Sequence, residues 1–158
     1  MISRMNRILQ NPAFRRHIEK NDKAELNRVF CKHGLQHALE VARILYILNL
    51  EDGADFEKDI IYAAALLHDI GKWEQYKKGV PHNASSAKYA APILSECGYD
   101  EEEIEIITTA IMNHREMISA DGSLSFLLFT ADKMSRACYV CAASEDCNWS
   151  KKNDELTY

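Results

Sequence analysis

Glycine and proline are scarce in this sequence, with 6 and 3 residues respectively in a chain of 158. Turns between β-strands depend on these two residue types, so their scarcity argues against a turn-rich β architecture and favours helices. Long uninterrupted apolar runs are missing as well, and no segment is predicted to span a membrane. The N-terminal residues 1–7 are not followed by the apolar stretch that is typical of a signal peptide. We therefore expect a cytoplasmic protein that does not associate with membranes.

An excess of positive charge is also absent, because the formal net charge at pH 7 is −5. Binding to a nucleic-acid polymer or to an anionic membrane surface through general electrostatic attraction is therefore not expected. A small anionic substrate is still compatible with the sequence if a local group of cations captures it. The sequence contains neither a glycine-rich phosphate loop nor a base-reading motif, so no motif identifies the substrate.

The 5 cysteines are an odd number in a chain without an export signal, and we interpret them as free thiols. Cys138, Cys141 and Cys147 resemble a fragment of a thiolate metal site, but their spacing matches no closed zinc pattern. A fourth thiolate ligand would have to come from Cys31 or Cys97. The sequence alone does not decide the role of these residues.

Apolar residues recur at helical spacing along most of the chain, which predicts an all-α fold. With 158 residues, of which 47% are hydrophobic and 27% charged, the chain is long enough for one domain with its own core. We predict a single-domain helical bundle of about six to seven helices. Residues 1–30 are expected to form covering helices, residues 33–144 the core, and residues 145–158 a polar tail. The polar segment 72–81 is predicted to be a loop.

A polar pair, His68–Asp69, ends the most apolar predicted helix of the chain, which begins at Ile60. Gly71 follows, and glycine commonly ends a helix. A buried histidine next to a buried aspartate is destabilising unless both side chains are satisfied, and a bound cation would satisfy both. His68–Asp69 is therefore a candidate metal-binding pair.

Three further predicted helices carry a histidine or an aspartate on the apolar stripe, namely His37, His114 and Asp132. Each of these residues, taken alone, is more simply explained as a hydrogen-bonded core residue. Four stripes that all end in His or Asp are hard to explain in that way, and together they predict a shared metal site. Imidazole and carboxylate ligands without thiolate suit Fe, Mn, Zn, Co or Ni. In contrast, His17 lies among charged residues and is expected to be a solvent-exposed surface residue.

This pattern resembles the HD superfamily of metal-dependent phosphohydrolases, whose signature is a His, a His-Asp doublet and a distant Asp. The matching positions are His37, His68–Asp69 and Asp132. His82, which is expected just before a helix, and His114 are similar to the two additional histidines of the binuclear subgroup. The resemblance implies an HD-type helical bundle with two divalent transition-metal ions, of which iron is the first expectation and Mn, Zn, Co or Ni are alternatives. It also implies the ligand sets: one ion would bind His37, His68, Asp69 and Asp132, and the other would bind His82, His114 and the bridging Asp69.

The binuclear subgroup includes bacterial enzymes that split diadenosine tetraphosphate and some cyclic dinucleotide phosphodiesterases. The resemblance therefore implies cleavage of a small phosphoester, with a nucleotide or dinucleotide as the expected substrate. Two divalent ions about 3.5–4 Å apart can hold a bridging hydroxide as the nucleophile and can clamp phosphoryl oxygens. Asp69 and Lys72 are the candidate catalytic residues. The candidates for substrate binding, each also compatible with a surface or salt-bridge role, are Lys72, Lys133, Arg136 and His33.

Two other functions are compatible with the same residues. Diiron oxygenases with an HD-type fold resemble this pattern in using the same ligands, and lone HD domains sometimes become non-catalytic regulatory modules that bind metal. Arg115 follows His114 directly but is more simply explained as a surface residue. The sequence leaves open whether the chain forms a homodimer.

Overall fold

The computed structural model describes residues 2–116 and 122–148 of the chain. Within these ranges the chain forms helices and turns and no β-strand, which confirms the predicted all-α class. The α-helices are, in chain order, α1 (Arg4–Gln10), α2 (Pro12–Ala24), α3 (Leu35–Glu51), α4 (Lys58–Leu67), α5 (Lys72–Lys78), α6 (His82–Cys97), α7 (Glu101–Asn113) and α8 (Leu124–Met134). Two short 3-10 helices follow, Cys138–Val140 and Ser144–Asp146.

Helix α4 lies at the centre of the bundle. Residues 63–67 of α4 are all buried, as are Ile60 and Ile61. The helix contacts α1, α3, α6, α7 and α8. Its three consecutive alanines, Ala63, Ala64 and Ala65, carry only a methyl group and so allow neighbouring helices to approach closely. The C-terminal end of α4 therefore delivers the residues that follow it into the interior of the bundle.

The segment 72–81 is not a loop, contrary to the prediction, because Lys72–Lys78 form α5. Trp73 explains the difference, since its side chain is only 8% exposed and its ring stacks on Tyr89 with ring centroids 6.1 Å apart. The helix ends at Gly79, whose φ of 72° is a left-handed conformation that glycine adopts without strain. A helix of 7 residues is too short to show a clear apolar period. This extra helix raises the α-helix count of the described residues to 8.

His17 is half-buried and is not the exposed residue that its charged sequence neighbours predicted. Its Nδ1 accepts a hydrogen bond from Trp73 Nε1 at 3.0 Å, and its ring centroid lies 4.3 Å from that of Tyr89. Burial, together with the charges of Lys20 and Arg16, lowers the pKa of His17 to about 4. The ring is therefore neutral at pH 7 and packs α2 against α5 and α6.

Within the described ranges, no helix is both long enough and apolar enough to cross a membrane. The cysteines there are free thiols, as the sequence predicted. Of the predicted tail 145–158, Glu145 and Asp146 lie in the 3-10 helix Ser144–Asp146, and residues 149–158 lie outside the described residues. The assignment of the whole chain to a single domain stays a prediction.

Candidate metal centre

The six candidate metal ligands lie on five different helices or directly beyond their ends. His37 lies in the first turn of α3, and Asp132 near the end of α8. The doublet directly follows α4, and His114 directly follows α7. His82 is the first residue of α6, and not a residue before the helix as predicted. All of these side chains are buried, with relative exposures of 7% or less: His37, His68, Asp69, His82, His114 and Asp132.

The first group of ligand atoms consists of His37, His68, Asp69 and Asp132. His37 Nε2 lies 3.1 Å from Asp132 Oδ1 and 3.5 Å from Asp69 Oδ2. His68 Nε2 lies 3.0 Å from Asp69 Oδ2. These nitrogen and oxygen atoms therefore converge on one point, and the group is able to hold a metal ion.

The second group consists of Asp69, His82 and His114. Asp69 Oδ1 lies 3.3 Å from His82 Nε2 and 3.7 Å from His114 Nε2. The two histidine nitrogens are 3.2 Å apart. Asp69 thus belongs to both groups, and it directs Oδ2 to the first and Oδ1 to the second.

Two buried atoms of the centre indicate whether its residues suit a cation. His68 Nε2 and Asp69 Oδ1 are buried and make no hydrogen bond with the described part of the chain. Unpaired buried polar atoms of this kind are destabilising, and each one normally has a partner. A divalent cation satisfies a nitrogen lone pair and a carboxylate oxygen together, so these residues fit a metal ion.

Hydrogen bonds from the outer ring nitrogens orient three of the histidines. His68 Nδ1 donates to the Ala65 carbonyl at 2.7 Å, and His114 Nδ1 donates to the Ile111 carbonyl at 2.6 Å. His82 Nδ1 donates to Gln75 Oε1 at 2.6 Å. A ring that donates through Nδ1 keeps its Nε2 lone pair free to bind a metal, so these contacts select the ligating tautomer.

The two carboxylates make the centre electronegative. Burial opposes their ionisation, yet neighbouring histidines, His68 foremost for Asp69 and His37 foremost for Asp132, hold the pKa values of both acids well below their usual range. Burial also opposes charge on His68, but the two carboxylates outweigh it and raise the pKa of His68 to about 10. Both effects have the same cause, since buried carboxylates stabilise any nearby positive charge, whether a proton or a metal ion.

Basic side chains border the two acids. Lys133 Nζ lies 2.6 Å from Asp132 Oδ2, and Arg136 Nη2 lies 3.0 Å from Asp132 Oδ1. Lys72 Nζ lies 3.3 Å from His82 Nδ1. A cavity of about 170 Å³ opens here onto the ligand groups, and its further lining residues are His33, Lys72, Arg115, Lys133 and Arg136. Arg115 is exposed, as predicted, but it also lines this cavity.

His33 faces the cavity from the segment before α3. Its backbone N–H donates to Glu25 Oε2 at 2.6 Å, and its Nδ1 pairs with Glu25 Oε1. The Tyr76 hydroxyl donates to the same carboxylate at 2.6 Å. Burial is the main cause that lowers the pKa of His33. The structure therefore places His33 beside the candidate ligands but not among them.

Sequence reasoning missed several buried supports of the centre. Asn21 Nδ2 donates to the Asp69 carbonyl at 2.9 Å and to the His33 carbonyl at 3.3 Å, while its Oδ1 accepts from Trp73 N–H at 2.8 Å. Gly71 N–H donates to Ser86 Oγ at 2.9 Å. Asn21 and Glu25 occur among many charged residues in the sequence. Their polar character, in a segment expected to cover the core, is the only sequence signal that could have suggested a role at the centre. Gln75 was missed because its helix was predicted to be a loop.

The profile of the HD domain family matches residues 34–144, and the chain therefore belongs to the HD domain family. Among curated proteins, an uncharacterized protein of Clostridium beijerinckii is 44% identical over 159 residues, which cover 99% of this chain and 100% of that protein. "Putative phosphohydrolase YueE" of Bacillus subtilis is 32% identical over 103 residues, or 59% of this chain and 57% of that protein. Ribonuclease Y of Enterococcus faecalis is 31% identical over 103 residues, or 65% of this chain and 18% of that protein. No solved structure matches the chain.

The similarity therefore covers the whole of the first relative but only part of the other two. Membership of the HD family and the phosphohydrolase name of one relative support a metal-dependent hydrolase. The two His/Asp groups are able to hold the divalent metal that such a hydrolase needs.

Proposed function

We propose that the protein is a binuclear metal-dependent phosphohydrolase that cleaves a small phosphoester. The observation that carries this proposal is the position of Asp69, whose two oxygens face two separate histidine groups. If Asp69 bound only one ion, the pair of histidines beside its other oxygen would have no role in metal binding. The bridging role of Asp69 therefore favours two ions over one.

The first ion would be held by His37, His68, Asp69 and Asp132, and the second by Asp69, His82 and His114. Iron is our first expectation for the metal, because imidazole and carboxylate ligands suit it; they also suit Mn, Zn, Co or Ni. When bound, two divalent ions supply an activated water as nucleophile and polarise the phosphoryl oxygens of the substrate. This chemistry requires no protein nucleophile.

The residues around the cavity bind and orient the substrate. Arg136 and Lys133 lie within hydrogen-bond distance of Asp132 and present cationic groups to the cavity, and Lys72 does so from the other side. A phosphate seated there would accept hydrogen bonds from these groups, and Arg136 offers two parallel donors to two phosphate oxygens. His33, which is held by Glu25, donates a further hydrogen bond to the substrate or accepts one from it at the edge of the cavity.

The size and charge of the site support a nucleotide or dinucleotide as the substrate. The cavity of about 170 Å³ adjoins a second one of about 260 Å³, and both share His33, Lys72, Lys133 and Arg136 as lining residues. Phe30 lines the second cavity and offers a ring on which a base could stack. The name of ribonuclease Y concerns RNA, but the negative net charge of this chain favours a small substrate over a polymer.

The proposal is tested on protein purified without oxygen, by metal analysis and by a screen of nucleotides and dinucleotides for phosphoester hydrolysis. We expect two divalent ions per chain and hydrolysis of at least one substrate. Asp69→Asn should abolish turnover and lose metal, because it removes a charged oxygen from both groups. Asp59→Asn is the matched control, since Asp59 pairs with Arg4 at 3.2 Å away from the centre and its loss should leave both properties intact.

Three results would contradict the proposal. A single ion per chain, with His82→Ala and His114→Ala retaining metal and turnover, would remove the binuclear centre. Oxygen uptake by the iron-loaded protein without hydrolysis of any phosphoester would indicate an oxygenase. Full metal loading without either activity would indicate a regulatory module.

A further inference from the structure

Three of the cysteines line the outer cavity, next to the candidate metal centre but apart from its ligands, and a fourth, Cys141, lies in the adjoining turn. Cys31, Cys138 and Cys147 all line the cavity of about 260 Å³. Cys141 follows Cys138 by one 3-10 turn, in which Cys141 N–H donates to the Cys138 carbonyl at 3.2 Å. Burial raises the pKa of the Cys138 thiol, and charge on Cys31, Cys147 and Cys141 raises it further. Cys97 is buried on α6, where it interacts with Asn11 and Arg7.

This placement answers a question that the sequence left open. Three cysteines at positions 138, 141 and 147 need a fourth thiolate to close a tetrahedral site. Both Cys31 and Cys97 were candidates, and the fold brings Cys31 to the other three. The four thiols then come from two segments of the chain that are far apart in sequence.

We propose that Cys31, Cys138, Cys141 and Cys147 bind one Zn²⁺ ion as thiolates. Four cysteine ligands form the closed tetrahedral coordination that is typical of structural zinc, and soft thiolates select zinc over harder divalent ions. The site is distinct from the His/Asp centre, whose ligand atoms are nitrogen and oxygen only.

Two arginines lie beside the group of cysteines. Arg136 interacts electrostatically with both Cys31 and Cys138, and Arg28 donates from Nε to the Cys31 carbonyl at 2.8 Å. Four thiolates and one Zn²⁺ carry a net charge near −2, which these guanidinium groups and the lysines of the cavity offset. Burial and the neighbouring Cys31, Cys147 and Cys141 raise the pKa of Cys138, and a bound cation would stabilise its thiolate.

The C-terminal segment buries little apolar surface of its own. Neither of its 3-10 helices contains a buried residue, and Tyr139 and Val140 are 63% and 76% exposed. Ordering such a segment costs conformational entropy that its own packing does not offset. Metal binding contributes directly to the folding free energy in small segments of this kind.

Zinc binding requires the four thiols to move closer together. Among the described residues, only the His/Asp groups have ligand atoms that already converge. The turn hydrogen bonds at residues 138–147 are 3.1–3.3 Å long and join residues three apart, so the thiols can move inward without breaking a longer helix. A bound zinc ion would then connect the segment that follows Arg136 to Cys31, which lies just before His33.

Cobalt substitution tests this site separately from the His/Asp centre. We would load the reduced full-length chain with Co²⁺ and record the sulfur-to-cobalt charge-transfer band in the near ultraviolet, which nitrogen and oxygen ligands do not produce. We expect the band in the wild type, its displacement by one equivalent of Zn²⁺, and its loss or strong weakening in Cys31→Ser and Cys141→Ser. Cys97→Ser is the matched control and should retain the full band.

Zinc analysis provides a second measurement in case a variant folds poorly. In the Asp69→Asn background, which removes the shared ligand of the His/Asp centre, the chain should still retain one Zn²⁺ that a thiol-modifying reagent releases. Absence of the charge-transfer band in the wild type would overturn the proposal. So would a disulfide among these cysteines in protein prepared under reducing conditions, iron with acid-labile sulfide in place of zinc, or an undiminished band in Cys31→Ser.

Discussion

Replacing Asn21 with alanine should destabilise the protein and weaken metal binding at the same time. Asn21 is completely buried and makes three hydrogen bonds to backbone groups. In Asn21→Ala the Trp73 N–H loses its acceptor, and a buried donor left unpaired costs about 1–3 kcal/mol. The Asp69 carbonyl keeps its bond from Lys72 N–H at 2.9 Å, so this second loss costs only about 0.5–1.5 kcal/mol. These two losses together lower the free energy of unfolding by about 1.5–4.5 kcal/mol, without counting the longer bond to the His33 carbonyl at 3.3 Å.

Urea unfolding of the metal-free protein measures this change directly. We expect a lower midpoint with an unchanged slope, and a fall in the melting temperature of at least about 3 °C at about 2–4 °C per kcal/mol. Because Asn21 holds the backbone of Asp69, metal affinity should also fall, by about 10–100-fold. Asn27→Ala, at an exposed position beyond the end of α2, should change stability by less than about 0.5 kcal/mol. A loss below about 0.5 kcal/mol in Asn21→Ala would refute the reasoning.

Three further predictions concern other parts of the structure. Gly71→Ala should cost about 1–3 kcal/mol in thermal unfolding, because the added Cβ would lie 2.6 Å from the backbone nitrogen of Ser86; an unchanged melting temperature would contradict the close approach of α6. The hydrogen bond from Lys78 is the main cause that lowers the pKa of Glu74 from 4.5 to about 2, so the stabilisation by Glu74 is present above pH 4.5 and is lost as the pH falls toward 2. Glu74→Gln should therefore flatten the plot of unfolding free energy against pH in that range, and an identical plot would rule this out. Arg136→Ala should lower kcat/KM by about 10–100-fold through loss of a charged hydrogen bond, with partial recovery in Arg136→Lys, and equal values in wild type and both variants would remove Arg136 from substrate binding.

The helices of the core were predictable because their signals are local. The apolar period of α3, α7 and α8 indicates which face is buried, and the nearly continuous apolar run of α4 indicates a central helix. The pattern also identified His37, His68, His114 and Asp132 as polar side chains on apolar stripes. Their grouping followed from the cost of burying each one alone, and the resemblance to HD proteins added His82.

The parts that could not be predicted depend on contacts between distant segments. The helix α5 is stabilised by the packing of Trp73. Its 7 residues are too few to form a periodic pattern from which the helix could be predicted. His17 has charged neighbours in sequence but lies against Trp73 and Tyr89 in space. Asn21 and Glu25 support the centre from a covering helix, where a polar residue carries no sequence signal of burial.

The sequence by itself determined the helical class, the buried doublet His68–Asp69 and the residue types available as ligands, since these follow from composition and periodicity. Only the tertiary structure decided that the oxygens of Asp69 face two different groups of histidines. It also decided that Cys31, and not Cys97, joins the C-terminal cysteines. The physical reason is the same in both cases: a side chain's direction and its distant partners depend on how helices pack, which no local stretch of sequence encodes.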